Sequence, residues 1–148
     1  MGIKVNLESG DVDVLVVALP SRLRDGLTAV IQALSWVGRV GAVAQRTAVS
    51  DYVQRYRPAL VIFDVNDLEL MTQVEAKILR ASCQKTKCIV IIDRAQQRSM
   101  AQVMGAEAIL LRGFSTELLY STMRTLIVAY DPKVPVTGPL SELQSKSP

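Results

Sequence analysis

The sequence predicts an α/β fold in which a doubly wound sheet of parallel strands carries helices on both faces. Short runs that are apolar at every position alternate with longer segments whose apolar residues recur at helical spacing. The clearest run, residues 58–64, ends abruptly in the carboxylate of Asp64. A run without alternation fits a strand covered on both faces, which is typical of parallel sheets. Regular alternation of strands and helices implies right-handed βαβ crossovers.

The first half of the chain predicts two strands and two helices before this central strand. Residues 13–19 form an apolar strand stopped by Pro20, and Ser21 can cap a helix that runs to about Trp36 and is ended by Gly38. Residues 39–45 make a weaker strand. Ser50 and the residue after it can cap a short helix through position 56.

The second half predicts three more helices and two more strands. Helix 68–81 is followed by strand 88–93, a weak polar helix 95–104 closed by Gly105, strand 108–112, and an amphipathic final helix 116–130. The apolar residues expected on one face of helix 68–81 are Leu70, Val74, Ile78 and Leu79. Those expected to face inward from the final helix are Leu118, Leu119, Met123, Leu126 and Ile127.

Composition indicates one globular domain of 148 residues, with 49% hydrophobic and 21% charged residues. We expect an N-terminal arm (1–12), a folded domain (13–130) and a Pro/Ser-rich flexible tail (131–148). The net charge is +3 and the cations are scattered, so direct nucleic-acid binding is not expected. No apolar run is long enough to span a membrane and the N-terminus is polar, which predicts a cytoplasmic protein.

Several classes of chemistry are excluded by residue type. The chain has no histidine, which removes His-based triads and most zinc sites. Its two cysteines, Cys83 and Cys88, are expected to be free thiols in a reducing compartment. No glycine-rich phosphate loop follows any predicted strand, so a nucleotide-dependent enzyme is not expected.

Polar side chains gather where the predicted strands end. Asp64, Asn66 and Asp67 follow the central strand, Asp93 the next, and Arg112 the last. The carboxyl ends of parallel strands meet at one edge, where ligands commonly bind. Acids with a cation opposite could hold a divalent ion or a phosphoryl group. Alternatively, Asp64 and Asp93 cap the helices that follow them while Arg112 pairs with one of them.

The order of these elements resembles the receiver domain of two-component response regulators, in the subgroup that normally carries a helix-turn-helix output. The resemblance covers positions 13–128 and rests on Leu15-Val16-Val17 with Arg24-Asp25-Gly26-Leu27, on residues 57–66, and on Gly105-Ala106 leading to Ile109-Leu110-Leu111-Arg112. It implies a flavodoxin-like, five-stranded parallel sheet in the order 2-1-3-4-5.

The family's chemistry is phosphorylation of an aspartate assisted by Mg²⁺, and the resemblance assigns positions to it. Asp64 occupies the phosphoacceptor position, and Asn66 lies where a backbone carbonyl would ligate the metal. Where the family has an acidic metal-binding pair, this chain has Ala18 and Leu19.

The remaining positions also depart from the family pattern. The hydroxyl residue that senses the phosphoryl group is replaced by Ile92 followed by Asp93, and the lysine of the last strand is replaced by Arg112. Mg²⁺ prefers several oxygen ligands, so without the acidic pair its affinity should collapse.

The resulting prediction is a degenerate pseudo-receiver that is not an enzyme, needs no cofactor and acts through contacts with other signalling proteins. A homodimer through residues 95–130 is a further hypothesis. Two alternatives remain open. Asp64 could be a working phosphoacceptor, with Asp93 rebuilding the Mg²⁺ site, or the pocket made more apolar by Ala18 and Leu19 could bind a small ligand.

Overall fold

A computed structural model describes residues 10–64 and 68–129 of the chain. Asn66, Asp67 and the predicted tail from residue 131 lie outside the described residues, as does most of the predicted arm. Among the described residues, no helix combines the length and apolar character needed to cross a membrane.

Five parallel strands form one sheet in the order β2-β1-β3-β4-β5, which confirms the predicted fold class and strand order. The strands are β1 (Val12–Ala18), β2 (Val37–Val43), β3 (Leu60–Asp64), β4 (Lys87–Ile92) and β5 (Ala108–Leu111). In the register, Ala18 of β1 lies beside Asp64 of β3, and Asp64 lies beside Ile91 of β4. Asp64, at the end of the central strand β3, therefore lies between β1 and β4.

Four α-helices lie in the four connections between the strands, and a fifth follows β5. They are α1 (Arg22–Gln32), α2 (Val49–Tyr56), α3 (Gln73–Ser82), α4 (Arg98–Val103) and α5 (Thr116–Ala129). As predicted, the Ser21 side chain caps α1, accepting a 3.1 Å hydrogen bond from the amide of Arg24. A capping box between Thr72 and Glu75 fixes the start of α3.

Two hydrophobic clusters lie on opposite faces of the sheet. Alternate residues of β3 belong to different clusters: Val61 and Phe63 pack on the side of α2, α3 and α4, whereas Leu60 and Ile62 pack on the side of α1 and α5. All four are at most 1% exposed. Burial on both faces explains why this strand is apolar at every position.

Several predicted boundaries were wrong by a few residues. Helix α1 ends at Gln32 rather than near Trp36, and Gly38 lies inside β2 instead of ending the helix. Ala48, which makes no side-chain cap, precedes α2 where a cap from Ser50 was predicted. The weak helix 95–104 is a 3₁₀ turn followed by the short α4. Local propensity marks such ends poorly because packing decides where a helix stops.

The predicted faces of two helices also need correction. In α3 and the turn before it, Leu79 is buried, but Leu70, Val74 and Ile78 are 75%, 67% and 60% exposed. The core side of α3 is formed instead by Ala76 and Leu79. In α5, Leu119, Met123, Leu126 and Ile127 are buried as predicted, but Leu118 is 40% exposed. Apolar spacing defines a stripe on a helix, while the sheet decides which stripe faces inward.

Candidate functional site

Asp64 lies at the carboxyl edge of the sheet and is almost completely enclosed, with 8% of its surface exposed. Its strand places it between Ala18 and Ile91, both of which are buried. A carboxylate in such surroundings requires compensation, because removing an unpaired charge from water is costly. The guanidinium of Arg112, which follows the outermost strand β5, supplies that compensation.

Arg112 bridges Asp64 and Asp93. Its Nη2 donates a hydrogen bond to Oδ1 of Asp64, and its Nη1 lies 3.5 Å from Oδ2 of the same carboxylate. Its Nε donates a hydrogen bond to Oδ1 of Asp93. One planar guanidinium thus engages both oxygens of Asp64 and one oxygen of Asp93, a geometry that arginine supports and lysine does not.

The backbone helps to hold this bridge in place. The amide of Arg112 donates a 2.8 Å hydrogen bond to the carbonyl of Ile92, so the residue immediately after β5 remains paired with the end of β4. Asp93 follows Ile92 directly, and its own amide donates to Oε1 of Gln97 at 2.7 Å. Both ends of the Arg112–Asp93 pair are therefore attached to the edge of the sheet.

The charge state of the bridge is set by its contacts. The hydrogen bond to Asp64 is the largest cause that raises the pKa of Arg112 above its ordinary value; burial acts in the opposite direction, and Asp93 adds to the rise. The guanidinium consequently stays positively charged wherever the protein is folded. Asp64 is 8% exposed and Asp93 and Arg112 are 37% and 33% exposed, so the pair with Asp64 is the better shielded one.

At the two positions where the resembled family has an acidic pair, this chain has the apolar residues Ala18 and Leu19. Ala18 is 3% exposed, and Leu19 projects to solvent with 57% of its surface exposed. Nη1 of Arg24 donates to the carbonyl of Ala18 at 3.2 Å, which adds a second guanidinium to this edge. Sequence reasoning did not mark Arg24 as a site residue, although its place in the first turn of α1, just after β1, could have suggested it.

Of the residues predicted for the site, the structure brings Asp64, Asp93 and Arg112 into direct contact and places Ala18 beside Asp64. Ile92 is buried, with 1% exposed, and Leu19 points away to solvent. Asn66 lies outside the described residues. Arg112 pairs with both acids, which corrects the alternative in which it paired with only one of them.

The donor groups on residues 10–64 and 68–129 do not by themselves form a site for Mg²⁺. Within the described ranges, no group of three or more carboxylate, thiol or imidazole side chains is placed to hold a metal. Asp64 and Asp93 are joined by a guanidinium, so the oxygens that a cation would need already accept hydrogen bonds from Arg112. Mg²⁺ requires near-octahedral oxygen ligands, and a fixed positive charge between the two carboxylates opposes a second cation.

No protein-family model matches the chain, and a search of curated proteins finds no match. Solved structures do match it. A response regulator receiver domain protein (CheY-like) from Methanospirillum hungatei JF-1 is 15% identical with a TM-score of 0.64, covering 78% of this chain and 93% of that one. A signal receiver domain of a histidine kinase from Syntrophus aciditrophicus is 15% identical with a TM-score of 0.67, covering 85% and 97%.

A further match extends the comparison to regulators of another class. A two-component response regulator of the LuxR family from Aurantimonas sp. SI85-9A1 is 12% identical with a TM-score of 0.66, covering 90% of this chain and 98% of that one. Identities this low establish the architecture only. The chain has the receiver-domain fold of two-component response regulators.

Proposed function

We propose that this chain is an atypical receiver domain that acts in cytoplasmic signal transduction through protein–protein contacts, without ordinary Mg²⁺-dependent phosphorylation of Asp64. The proposal rests on the Arg112 bridge: the guanidinium of Arg112 donates hydrogen bonds to both oxygens of Asp64, the residue at the phosphoacceptor position. Receiver domains generally signal rather than catalyse, and the residues described here supply no alternative catalytic set.

Phosphoryl transfer to an aspartate needs a carboxylate oxygen that can approach phosphorus as a nucleophile. In this protein both oxygens of Asp64 accept hydrogen bonds from Arg112, so the nucleophile is held in an ion pair. Attack would require that pair to open inside a site where the carboxylate is only 8% exposed. Opening this pair would cost no more than about 2–4 kcal/mol, the range expected for removing Arg112, since the guanidinium is 33% exposed and the range for fully buried pairs is an upper bound.

The transferring group would also lack its usual partners. Mg²⁺ would have to neutralise the charge of the phosphoryl oxygens, but Ala18 and Leu19 offer no carboxylate at the position where the family has its acidic pair. After β4 the chain places the carboxylate of Asp93 instead of a hydroxyl group. That second negative charge repels an incoming phosphoryl group and cannot donate a hydrogen bond to it.

The test is intact-mass analysis after incubation with acetyl phosphate and Mg²⁺, beside an Asp64→Asn variant. The proposal predicts no added mass in either protein, with circular dichroism showing that both are folded. One phosphoryl group on the wild type that is absent from Asp64→Asn would overturn it. That result would support the alternative in which Asp64 is a working phosphoacceptor and Asp93 helps to bind the metal.

The contact surface that we propose is the segment 95–130, used as a homodimer interface. Support comes from two exposed leucines within it, Leu111 at the end of the edge strand β5 and Leu118 in α5, which are 45% and 40% exposed. An edge strand offers unpaired backbone groups to a second chain, and the two leucines add exposed apolar surface to the segment that contains this strand.

Sedimentation velocity tests this surface. Replacing Leu111 and Leu118 together by lysine should convert a concentration-dependent dimer into a monomer. The matched control is Val74→Lys, which changes an even more exposed aliphatic residue outside the segment. A wild type that remains monomeric at high concentration, or a dimer that only Val74→Lys disrupts, contradicts the proposed interface.

A further inference from the structure

A cavity of about 360 Å³ opens beside the Arg112 bridge, between α1 and the start of α5. Its volume falls at the small end of the range typical of sites for small molecules. Three parts of the fold contribute to it: one face of α1, the loop and first turn that lead into α5, and the edge of the sheet. The apolar residues that dominate its lining are Leu23, Leu27, Val30, Ile91, Phe114 and Leu119.

Two cations and one anion contribute to the lining: Arg22, Arg112 and Asp64. Arg112 is engaged by Asp64 and also by Asp93, so Arg22 is the cation of the lining that lies outside this bridge. Arg22 is exposed to solvent. An open apolar groove with a solvated guanidinium at its margin can take a molecule with an apolar body and one negative group, which would pair with that guanidinium.

A glycine in the middle of α1 lies at the mouth of this space. Gly26 lines the cavity and is exposed to solvent, and a Cβ atom added there would meet nothing within 4 Å. A larger side chain at this position can therefore be introduced without a steric clash, where it would lie beside the opening.

We propose that this cavity binds a small amphipathic organic anion, in which a carboxylate, sulfonate or phosphate group lies near Arg22 and an aromatic or short aliphatic body lies among the apolar residues. Such a ligand would control the proposed signalling domain without a covalent change at Asp64. This role rests on the proposed function, because it treats the Arg112–Asp64 pair as a permanent part of the lining. The binding itself requires only the cavity and its charge.

The test uses anilinonaphthalene sulfonate as an anionic fluorescent probe and phenylnaphthylamine, which has the same aromatic body without the sulfonate, as its neutral counterpart. The wild type should bind the anionic probe saturably at one site and the neutral probe more weakly. Gly26→Phe should obstruct the opening of the cavity and abolish binding of both. Gly26→Ala is the matched control, because one methyl group leaves most of the volume and should preserve binding.

Arg22→Gln separates the charge contribution from the volume contribution. Loss of one charge-assisted hydrogen bond should weaken the anionic probe by about tenfold, while affinity for the neutral probe stays unchanged. Arg22 is exposed, so this variant does not depend on repacking of the core. Equal binding by wild type and a folded Gly26→Phe variant would overturn the proposal, as would an equal effect of Arg22→Gln on both probes. Phosphorylation of Asp64 would be detected separately by mass, so failure of the proposed function is distinguishable from failure of this site.

Discussion

The two ends of the sheet treat their ionisable groups in opposite ways. At the carboxyl end, hydrogen bonds to Asp64 and Asp93 raise the pKa of Arg112 and favour its charged form, against the opposing effect of burial. At the amino end of β4 and β5, a second cavity of about 290 Å³ is lined by residues that include Cys83, Cys88 and Glu107. There, burial rather than a hydrogen-bonded cation has the largest effect on the pKa values.

The pKa values record the difference. Burial is the largest cause that raises the pKa of Cys83, to about 11, and it raises the pKa of Cys88 well above the ordinary value. Burial also raises the pKa of Glu107, although its Oε2 accepts a 3.0 Å hydrogen bond from the amide of Cys88, which acts in the opposite direction. One end of the sheet thus favours charged forms and the other favours neutral ones. Reactive chemistry is therefore not expected from the thiols.

The largest expected effect concerns the thiols. A pKa of about 11 for Cys83, against about 8.5 for an ordinary cysteine, leaves on the order of a hundredfold less thiolate near pH 8. Both thiols should therefore react with a disulfide reagent at least that much more slowly in the native protein than after denaturation. Time-resolved absorbance measures the two rates. Rapid native-state labelling of either cysteine would show that the amino end of the sheet is open and that burial does not protect these thiols.

Removing Arg112 should produce the next largest effect. Arg112→Ala leaves Asp64 buried without its cation, so we expect the free energy of unfolding to fall by about 2–4 kcal/mol, with the partial exposure of Arg112 placing it below a fully buried pair. Urea denaturation near neutral pH measures this change. Arg112→Lys keeps the charge without the two-pronged contact and should lose less. If Arg112→Ala were as stable as the wild type, the bridge would have no energetic role.

The smallest effect should appear at Glu107 and should depend on pH. Because its pKa is higher in the folded than in the unfolded protein, the folded state binds more protons, and stability falls as pH rises from near the ordinary value of Glu through the raised value. Glu107→Gln keeps an acceptor for the Cys88 amide and removes this titration. Its stability advantage over the wild type should therefore grow from pH 4 to pH 7. An advantage that shrinks over this range would mean that Glu107 is stabilised in its charged form.

The sequence was sufficient for the parts of this account that depend on the order of elements. Continuous apolar runs predicted the parallel sheet, and because parallel strands end at a common edge, Asp64, Asp93 and Arg112 were predicted to be neighbours. Pairing of Arg112 with one of the two acids was one of the alternatives that the sequence left open. Its pairing with both was not predictable, since strand ends do not specify which way a long arginine side chain turns.

Other features had weak sequence signals or none. Leu70, Val74 and Ile78 have regular helical spacing yet are exposed, because Ala76 and Leu79 take the side of α3 that faces the sheet. Glu107 precedes β5 in an unremarkable polar position, and only the fold brings it to the amide of Cys88. From the sequence, Gly26 is only a residue of low helix propensity. The cavity that it lines could not be predicted, because residues of both α1 and α5 form it in the folded protein.

Whether Arg112 takes the place of a metal at Asp64 can be tested by a Mg²⁺ titration followed through backbone amide resonances in the wild type and in Arg112→Ala. We expect no saturable shift of the Asp64 and Asp93 amides in the wild type at millimolar Mg²⁺. In Arg112→Ala we expect a weak saturable shift, because the two carboxylates are then available to a cation, and loss of that shift when Asp64→Asn is added. Saturable Mg²⁺ binding at Asp64 in the wild type would show that Arg112 does not exclude the metal.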